Sequence, residues 1–438
     1  MAKRHANHSG NLESMFLRLE ELVLANSGED EFDEVFKLLI AKIYSEFYPD
    51  SIGFRTYETE KETATRFNSL LNQAQKKWSG LFESSVISNL TDEHLHVCVK
   101  ALKDHKISEN GLDVLDSFFE FMVSKSAKGN KGQYFTPRYV VEFCVRMMNP
   151  KPNETVLDPA CGSGGFLFTS LDFIRKNNDF SSGELGGYCS TKLWGFDIDP
   201  RAIKVAKALM ILAGDGVSNI VRLNSLVRSG PSSSLFSASD DSFLTVEDIT
   251  RSRLRHHKGF DIILTNPPFA GEVLERHILE KYDAGRDKKR IERDVLFIER
   301  CVDLLRPGGR MAIVLPHNKF SAMEFCENRE WLIKKCRILA VVGLGRNTFL
   351  PHTHQKTSIL FVQRRNVGSL GDGDEKIFFA VSDRDGKDKK GKNILRPDHT
   401  QYIDSWARID HDFDEILDSF NKFRIDEGLE FGEHSWQA

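Results

Sequence analysis

The chain has 438 residues, 40% of them hydrophobic, with 60 lysines and arginines against 64 aspartates and glutamates and a formal net charge of −4. This balance is ordinary for a globular protein and excludes a chain that coats nucleic acid by bulk positive charge. No apolar run reaches the roughly 20 residues of a membrane span, and no apolar segment follows the basic residues at the start. The seven cysteines form no CxxC pair, so we expect no disulfide scaffold and a reducing, cytoplasmic location.

Residues 1–130 are predicted to form an N-terminal helical domain. Apolar residues recur every three or four positions in the segments 15–25, 32–47 and 111–125, which is the pattern of amphipathic helices. No internal repeat with a fixed period interrupts this pattern.

Residues 131–366 are predicted to form an α/β domain. Short apolar runs alternate with helical patterns, which indicates βαβ units and a largely parallel sheet. Because a loop of about a dozen residues separates the last two runs, the sheet is expected to finish antiparallel. A serine-rich stretch at 229–242 is predicted to be a mobile loop. The runs are TVLDPA, KLWGFDID, IVRLN, FDIILTN, RMAIVLP, ILAVVGL and TSILFVQ.

Residues 367–438 are polar and charged. The segments GDGDEK and DRDGKDKKGKN are typical of loops, and a helical pattern follows at 411–424. We interpret this part as a polar C-terminal extension that serves as a docking tail.

A glycine-rich loop follows the first predicted strand. In DPACGSGG, the glycines Gly162, Gly164 and Gly165 lack Cβ atoms, so a ligand can approach the backbone at the sheet edge where open α/β sheets bind ligands. The loop is not GxGxxG and lacks the Lys-Ser/Thr of a phosphate loop. The carboxylate of Asp158 would repel pyrophosphate but suits a cation or an amine, and S-adenosylmethionine carries both a sulfonium and an amino group. The alternative is a packing turn in an unrelated α/β protein.

The second predicted strand ends in two acidic residues with different expected roles. Asp197, at its carboxyl end, can accept two hydrogen bonds from a ribose diol, as the acidic residue of dinucleotide folds does. Asp199 and Pro200 are instead typical of a helix N-cap and first helical position. We therefore assign Asp197 to a nucleoside ligand and Asp199 to the fold.

A rigid turn follows the strand in FDIILTNPPF, residues 260–269. The strand stops at Asn266 because two prolines fix φ and cannot donate to a sheet ladder. The Asn266 amide oxygen and neighbouring carbonyls can converge as acceptors, and Phe269 offers a flat face for stacking. An exocyclic amine conjugated to a ring is a weak nucleophile, and acceptors aimed at its protons stabilise the developing positive charge by roughly 3–4 kcal/mol per group. A plain turn after a strand is the alternative.

Together these motifs resemble those of a known family. DPACGSGG followed by NPPF, with GQYFTP at 132–137 ahead of both, resembles the N6-adenine type of amino-group DNA methyltransferase. More narrowly, residues 80–366 resemble the modification subunit of type I restriction–modification systems. The resemblance implies an α/β fold with a Rossmann-like S-adenosylmethionine-dependent methyltransferase sheet and an N-terminal helical domain.

The resemblance also implies roles for individual residues. Thr136 would lie near the cofactor's carboxylate, although Thr136 and Pro137 also predict a helix N-cap and first position. Asp197 would hold the ribose, and Ile198 would pack on the cofactor's adenine. The target adenine, flipped from the duplex, would be held by Asn266, Pro267, Pro268 and Phe269. The residues implied for S-adenosylmethionine are Gln133, Tyr134, Phe135, Thr136, Asp158, Ala160, Gly162, Ser163, Gly164, Gly165, Asp197, Ile198 and Asn224.

The chain departs from the family pattern at two places. Asn224 stands where many relatives have an aspartate that faces the cofactor's adenine amine, but an amide oxygen can still accept that hydrogen bond. The sequence stops at Ala438 without an evident target-recognition domain. We therefore expect a separate subunit to select the DNA sequence.

Two basic clusters flank the Asn-Pro-Pro-Phe segment. Residues 251–258 and 284–293 are hypothesised to contact DNA phosphates, with solvated loop charge as the alternative. His352 and His354 have no third ligand spaced nearby, so a loop is favoured and no metal site is predicted.

We therefore predict an adenine-specific DNA methyltransferase that transfers a methyl group from S-adenosylmethionine to N6 of adenine. Double-stranded DNA, a specificity subunit and a restriction subunit are the expected partners, and no membrane is expected. Two alternatives stay open: a methyltransferase of another planar amine, in protein glutamine or RNA, and a non-catalytic DNA-binding assembly subunit.

Overall fold

In this computed structural model the chain falls into two compact units. One comprises Met1–Gly129 with Lys204–Val217, and the other comprises Asn130–Ile203 with Ser218–Ala438. The predicted domain limits at 130 and 366 stay a prediction. Within the described ranges, no helix is both long and apolar enough to cross a membrane. The structure describes residues 14–15, 17–22, 27–78, 80–82, 86–107, 118–119, 121–123, 135–214, 219–228, 245–253, 258–366, 368, 374–402, 404–429 and 431.

Among the described residues of the first unit, three long helices have matching N-caps. The side chains of Asp30, Thr59 and Thr91 each accept the backbone N–H three residues further on, at 2.9, 3.1 and 3.3 Å. The helix predicted at 32–47 is confirmed, whereas the segment 111–125 lies largely outside the described residues. These helices are Glu31–Phe47, Glu60–Lys77 and Asp92–Leu102.

The second unit is built on one large sheet and a separate small hairpin. The strands of the sheet are β1 Val156–Asp158, β2 Leu193–Asp197, β3 Asn219–Arg222, β4 Phe260–Thr265, β7 Leu305–Pro316, β8 Cys336–Gly343, β9 Thr357–Arg364 and β10 Phe378–Val381, and the hairpin consists of β5 Glu272–Val273 and β6 Ile291–Glu292. The sheet has the order β10-β8-β9-β7-β4-β1-β2-β3. Neighbouring strands are parallel except that β9 runs antiparallel to both β7 and β8. All the predicted strands and the antiparallel finish are confirmed.

Helices connect and cover these strands. The helix after β2 begins at Pro200, and the Asp199 side chain accepts the N–H of Arg201 at 2.8 Å, so the predicted cap is confirmed. This helix, Pro200–Leu212, begins in the second unit and is grouped with the first from Lys204 onward. The other helices here are Arg138–Met148, Gly165–Asn177, Ser182–Lys192, Val246–Arg253, Arg276–Leu279, Arg293–Leu304, Asn318–Ser321, Cys326–Lys335, Ser405–Arg408 and Phe413–Asp426.

The sheet is buried on both faces, which explains why its strands are continuously apolar. On one face, Leu157 and Ile263 pack in a cluster with Ile298 from the helix Arg293–Leu304. On the other face, Phe143 contacts Phe361 of β9 edge-to-face at 6.0 Å and stacks on Phe413 at 4.5 Å. The C-terminal helix and the strand β10 are therefore integral parts of the second unit.

A buried arginine of β7 joins the sheet both to the end of the helix Arg138–Met148 and to the segment that follows this helix. Arg310 of β7 contacts Glu154 through two hydrogen bonds of 2.5 and 2.8 Å, and its Nε donates to the carbonyl of Met148 at 2.7 Å. Both charged side chains are under 5% exposed. The pair fixes the chain just ahead of β1, the first strand of the candidate site.

Candidate active site

The carboxyl ends of β1 and β4 lie side by side at one edge of the sheet. The two strands are parallel, with Leu157 paired with Ile263. Thr265, the last residue of β4, donates a hydrogen bond from its hydroxyl to Oδ1 of Asp158 at 2.7 Å. The glycine loop and the Asn-Pro-Pro-Phe turn, which follow these two strands, therefore lie at the same edge of the sheet.

Asp158 is buried within this edge. Its side chain is 1% exposed and accepts hydrogen bonds from Thr265 and, at 3.1 Å, from the N–H of Ala160. Burial raises the pKa of Asp158 to about 7, although both hydrogen bonds act in the opposite direction. Asp158 thus fixes the start of the glycine loop against the end of β4, and its contact with a cofactor stays a prediction.

The glycine loop leaves open space beside its backbone. Gly162 and Gly164 have φ values of 51° and 90°, a left-handed conformation that favours glycine. A Cβ atom on Gly162 would meet no atom within 4 Å. Gly164 is the N-cap of the helix Gly165–Asn177. The first backbone N–H groups of this helix, which have no partner within the helix, therefore lie next to the loop. The other predicted loop residues are Ala160 and Gly165, half-buried, and Ser163, buried.

Asp197 joins the end of β2 to the glycine loop. Its two carboxylate oxygens accept the N–H groups of Gly162 and Asp199, each at 2.9 Å. Burial raises the pKa of Asp197 above its ordinary value. A carboxylate can accept about four hydrogen bonds in total, and the neighbouring Ile198 is 63% exposed. A hydrogen-bond acceptor that contacts the loop is therefore followed directly by an exposed apolar residue.

Asn224 lies in the turn after β3. Its amide oxygen accepts the N–H of Leu226 at 3.1 Å, as in an Asx turn. Ser225 then donates from its buried hydroxyl to the carbonyl of Pro159 at 2.6 Å, which ties this turn to the glycine loop. An amide oxygen accepts two hydrogen bonds, so a contact of Asn224 with the cofactor's adenine is compatible with this geometry and stays a prediction.

Thr136 contacts the Asn-Pro-Pro-Phe turn directly. Nδ2 of Asn266 donates to Oγ1 of Thr136 at 2.9 Å, across 130 positions of the chain. The prediction that Thr136 caps a helix is wrong, because the helix Arg138–Met148 has Pro137 as its N-cap and no side-chain capping bond. The local sequence fits a cap, but the Thr136 hydroxyl bonds to Asn266, which is too distant in the sequence for local reasoning to indicate it.

The turn after β4 presents its aromatic residue at the edge. Asn266, Pro268 and Phe269 are half-buried, and Pro267 is buried. The ring of Phe269 meets that of Phe349 edge-to-face at a centroid distance of 6.1 Å. Phe349 is itself fully buried, so it supports the Phe269 ring from the protein side.

Sequence reasoning missed three residues that support this site: Thr265, Ser225 and Phe349. Each acts through a contact with a distant segment, and none stands in a pattern that would single it out. The abrupt end of β4 marks the place of Thr265, but nothing in the sequence indicates that its hydroxyl bonds to Asp158.

The hairpin of β5 and β6 follows the turn and carries exposed positive charge. The N–H of Arg293 donates to the carbonyl of Gly271 at 3.1 Å, and a Cβ atom on Gly271 would lie 3.2 Å from the Arg293 guanidinium. Lys288, Lys289 and Arg293 are exposed and form no ion pair with another residue that the structure describes, unlike Arg290, which pairs with Glu272. A contact of these charges with phosphates stays a prediction.

Three predicted features lie wholly or partly outside the described residues: Gln133 and Tyr134 of the GQYFTP segment, the serine-rich stretch 229–242, and residues 254–257 of the basic cluster 251–258. Phe135 is described and half-buried. No group of three or more metal-ligating side chains occurs among the residues placed by the structure.

A protein-family model described as N-6 DNA methylase matches residues 110–427. The chain belongs to the N-6 DNA methylase family. The matched residues include the glycine loop, the Asn-Pro-Pro-Phe turn and the C-terminal helix Phe413–Asp426.

The chain is similar to the Type I restriction enzyme EcoEI methylase subunit of Escherichia coli, with 28% identity over 56% of this chain and 45% of that protein. The Type II restriction enzyme and methyltransferase RM.BcgI of Heyndrickxia coagulans is 23% identical over 72% of this chain and 48% of its own length. The chain therefore spans about half the length of these curated relatives.

A solved structure shares the fold. The type I restriction-modification system methyltransferase subunit from Streptococcus thermophilus superposes with a TM-score of 0.59 at 16% identity, covering 94% of this chain and 93% of that one. This likeness confirms the predicted methyltransferase-type α/β sheet with N-terminal helices.

The end of β4 offers acceptor groups next to an aromatic ring. At one sheet edge, a rigid turn holds an amide and an aromatic ring near a loop that has open space beside Gly162. Because Pro267 and Pro268 have no N–H groups, the turn presents acceptors without competing backbone donors at these positions.

Proposed function

We propose that this chain transfers a methyl group from S-adenosylmethionine to N6 of adenine in double-stranded DNA, as the modification subunit of a type I restriction–modification system. One observation carries the proposal: the Asn266 amide lies at the end of β4, bonded to Thr136, at the edge where β1 and β2 present Asp158, Asp197 and the glycine loop. Family membership supports the same chemistry.

The residues at this edge fit the cofactor. The open space beside Gly162 admits a ligand close to the backbone, the Asp197 carboxylate has lone pairs for a ribose diol, and the exposed Ile198 offers an apolar surface for a base. The bound cofactor supplies an electrophilic methyl group on a sulfonium. We assign its binding to Gln133, Tyr134, Phe135, Thr136, Asp158, Ala160, Gly162, Ser163, Gly164, Gly165, Asp197, Ile198 and Asn224.

The turn after β4 holds the acceptor amine. The Asn266 amide oxygen and the carbonyl of Pro267 accept the protons of the amine, and they stabilise the positive charge that develops on its nitrogen. Phe269, supported by Phe349, stacks on the adenine, and Pro268 keeps the turn rigid. A base inside a duplex cannot reach such a turn, so the adenine is flipped out.

The proposed partners follow from the relatives. The matched curated proteins include methylase subunits of type I enzymes, so we assign this chain a specificity subunit that selects the DNA sequence and a restriction subunit that cuts unmodified DNA. All seven cysteines are free thiols, which supports work in the reducing cytoplasm.

Methyl transfer in solution tests the proposal. The chain, purified with the subunits that accompany it, is incubated with radiolabelled S-adenosylmethionine and with DNA, RNA or protein. We expect label on N6 of adenine in DNA, and we expect Asn266→Ala to lower transfer by roughly 10²-fold or more while S-adenosylhomocysteine still binds in calorimetry.

The matched control is Asn177→Ala, which removes an exposed asparagine whose amide bonds only within its own helix. This variant should transfer methyl groups like the wild type. Label in RNA or protein would favour another planar amine, and failure to bind S-adenosylhomocysteine would favour a non-catalytic assembly role. Unchanged transfer by Asn266→Ala would contradict the role given to the turn.

A further inference from the structure

The Asn266 carboxamide has two chemically opposite ends. Its oxygen accepts hydrogen bonds, and its NH2 group donates them. Only the oxygen can receive the protons of a substrate amine, because the NH2 group would place positive charge beside a nitrogen that becomes positive as it attacks. The orientation of this amide therefore decides whether the turn can serve an amine.

The structure shows what fixes that orientation. Nδ2 of Asn266 donates to Oγ1 of Thr136 at 2.9 Å, so the amide oxygen lies at the end away from Thr136. The neighbouring Thr265 donates to Asp158 at 2.7 Å, and Pro267 restricts the backbone that follows. The backbone on both sides of Asn266 is thus held, and with the side chain in this position a rotation about χ2 would exchange its oxygen and nitrogen.

We infer that Thr136 is a positioning residue that acts through Asn266: its hydroxyl holds the NH2 end so that the oxygen end faces the substrate amine. The inference rests on the proposed function and goes beyond the cofactor contact that the family resemblance implies for Thr136. In this role Thr136 touches neither the transferred methyl group nor the adenine.

A hydroxyl can pair with either end of an amide, since it both donates and accepts. It acts only as an acceptor toward Asn266 when its own proton is used elsewhere. The α-carboxylate of the proposed cofactor is a suitable acceptor for that proton. Cofactor occupancy then selects the amide orientation, so the acceptor site becomes suited to an amine only when the methyl donor is bound.

Three variants separate this role from simple cofactor binding. Thr136→Val keeps the shape and removes the hydroxyl, and Thr136→Ser keeps the hydroxyl. Thr191→Val removes the hydroxyl of an exposed threonine, which bonds within its own helix. For Thr136→Val we expect kcat, at saturating S-adenosylmethionine, to fall by roughly 10- to 100-fold. Serine should restore kcat to within about 3-fold, because it supplies the same hydrogen bond, and Thr191→Val should match the wild type.

A binding measurement gives a readout besides activity. A DNA duplex carrying 2-aminopurine at the methylated adenine is titrated with wild type and variants in the presence of S-adenosylhomocysteine or 5′-methylthioadenosine, which lacks the carboxylate. We expect S-adenosylhomocysteine to tighten duplex binding by the wild type and by Thr136→Ser. We call this tightening the coupling. It should be absent in Thr136→Val, and it should also be absent in the wild type when 5′-methylthioadenosine replaces S-adenosylhomocysteine.

Each outcome of these experiments has a separate meaning. If Thr136→Val raises only the Kd of S-adenosylhomocysteine and leaves kcat at saturation unchanged, Thr136 serves the cofactor alone and the inference is overturned. An undiminished coupling in Thr136→Val overturns it as well. If the wild type itself transfers no methyl group to DNA, the proposed function fails first, and the inference falls with it.

Discussion

Single residues from distant parts of the chain meet at the candidate site through two threonine hydroxyls. Thr136 accepts from Asn266, and Thr265 donates to Asp158. The two bonds fix consecutive residues of the turn to the two segments that are proposed to hold the cofactor. The distance between methyl donor and acceptor therefore depends on groups that take no part in the chemistry.

Asp158 makes the stability of the fold depend on pH. Its pKa of about 7 in the folded protein lies above the value of about 3.9 in an unfolded chain, so folding binds a proton between these two pH values. The resulting stabilisation is complete below about pH 4 and is lost as the pH rises through about 7. Asp158→Asn cannot ionise and keeps an acceptor for Thr265.

We therefore expect the stability of Asp158→Asn relative to wild type to increase between pH 5 and pH 8, by on the order of 2–4 kcal/mol. Thermal melting of both proteins across this range measures the change. Parallel pH profiles for the two proteins would mean that Asp158 ionises near its ordinary pKa.

The sequence indicates which residues end the strands but not which of them touch. Asp158, Asp197 and Asn266 could be identified because each follows an apolar run in a predictable α/β pattern. The wrong assignment of Thr136 as a helix cap has a physical cause, since the N-cap is the next residue, Pro137, and the Thr136 hydroxyl bonds to the distant Asn266. Only the folded chain brings Nδ2 of Asn266 to 2.9 Å from that hydroxyl.

The strands of the large sheet are predictable from the sequence where they are continuously apolar. Burial on both faces makes the strands from β1 to β9 in the large sheet stand out, and the predicted antiparallel finish follows from a short connection between β8 and β9. The sequence does not predict the strand β10, which is the outermost strand of the sheet. It has only four residues, and two of them, Phe379 and Val381, are largely exposed. Such a strand is stabilised by pairing with β8 rather than by its own pattern.

The ion pair between Glu154 and Arg310 should stabilise the junction of helix and sheet. Glu154→Ala leaves the Arg310 charge buried without its partner, which should destabilise the second unit by roughly 3–5 kcal/mol. The control, Glu280→Ala, breaks an exposed pair with Arg276 and should change the melting temperature little. Equal melting temperatures for the two variants would show that the buried pair does not stabilise this junction.

Across the molecule, the candidate site uses residues from 136 to 349, all within one compact unit. This unit includes the polar C-terminal segment, whose helix Phe413–Asp426 packs through Phe413 against Phe143. A formal charge of −4 gives the chain no general attraction for DNA. The proposed contact with DNA therefore depends on local charge beside the site or on the proposed partner subunit.

The cations of the β5–β6 hairpin are expected to contribute to DNA binding. Replacing Lys288, Lys289 and Arg293 with glutamine should weaken binding and reduce the slope of log K against log salt by about 0.9 for each phosphate that is no longer neutralised. The control is Lys334→Gln with Lys335→Gln, since these exposed lysines precede β8 and so lie at the opposite edge of the sheet. An unchanged salt slope in the hairpin variant, or an equal reduction in the control, would assign the hairpin charges to solvent.

The proposed role of Asn266, to hold an adenine amine for methylation at a sequence chosen by a partner, can be tested in living cells. Native genomic DNA is sequenced with modified-base detection from cells that carry either the wild type or Asn266→Ala. We expect N6-methyladenine in the wild type at a motif of two short halves around a gap, and no such mark in the variant. Methylation that persists in Asn266→Ala, or a wild-type genome without any such mark, would show that Asn266 does not have this role.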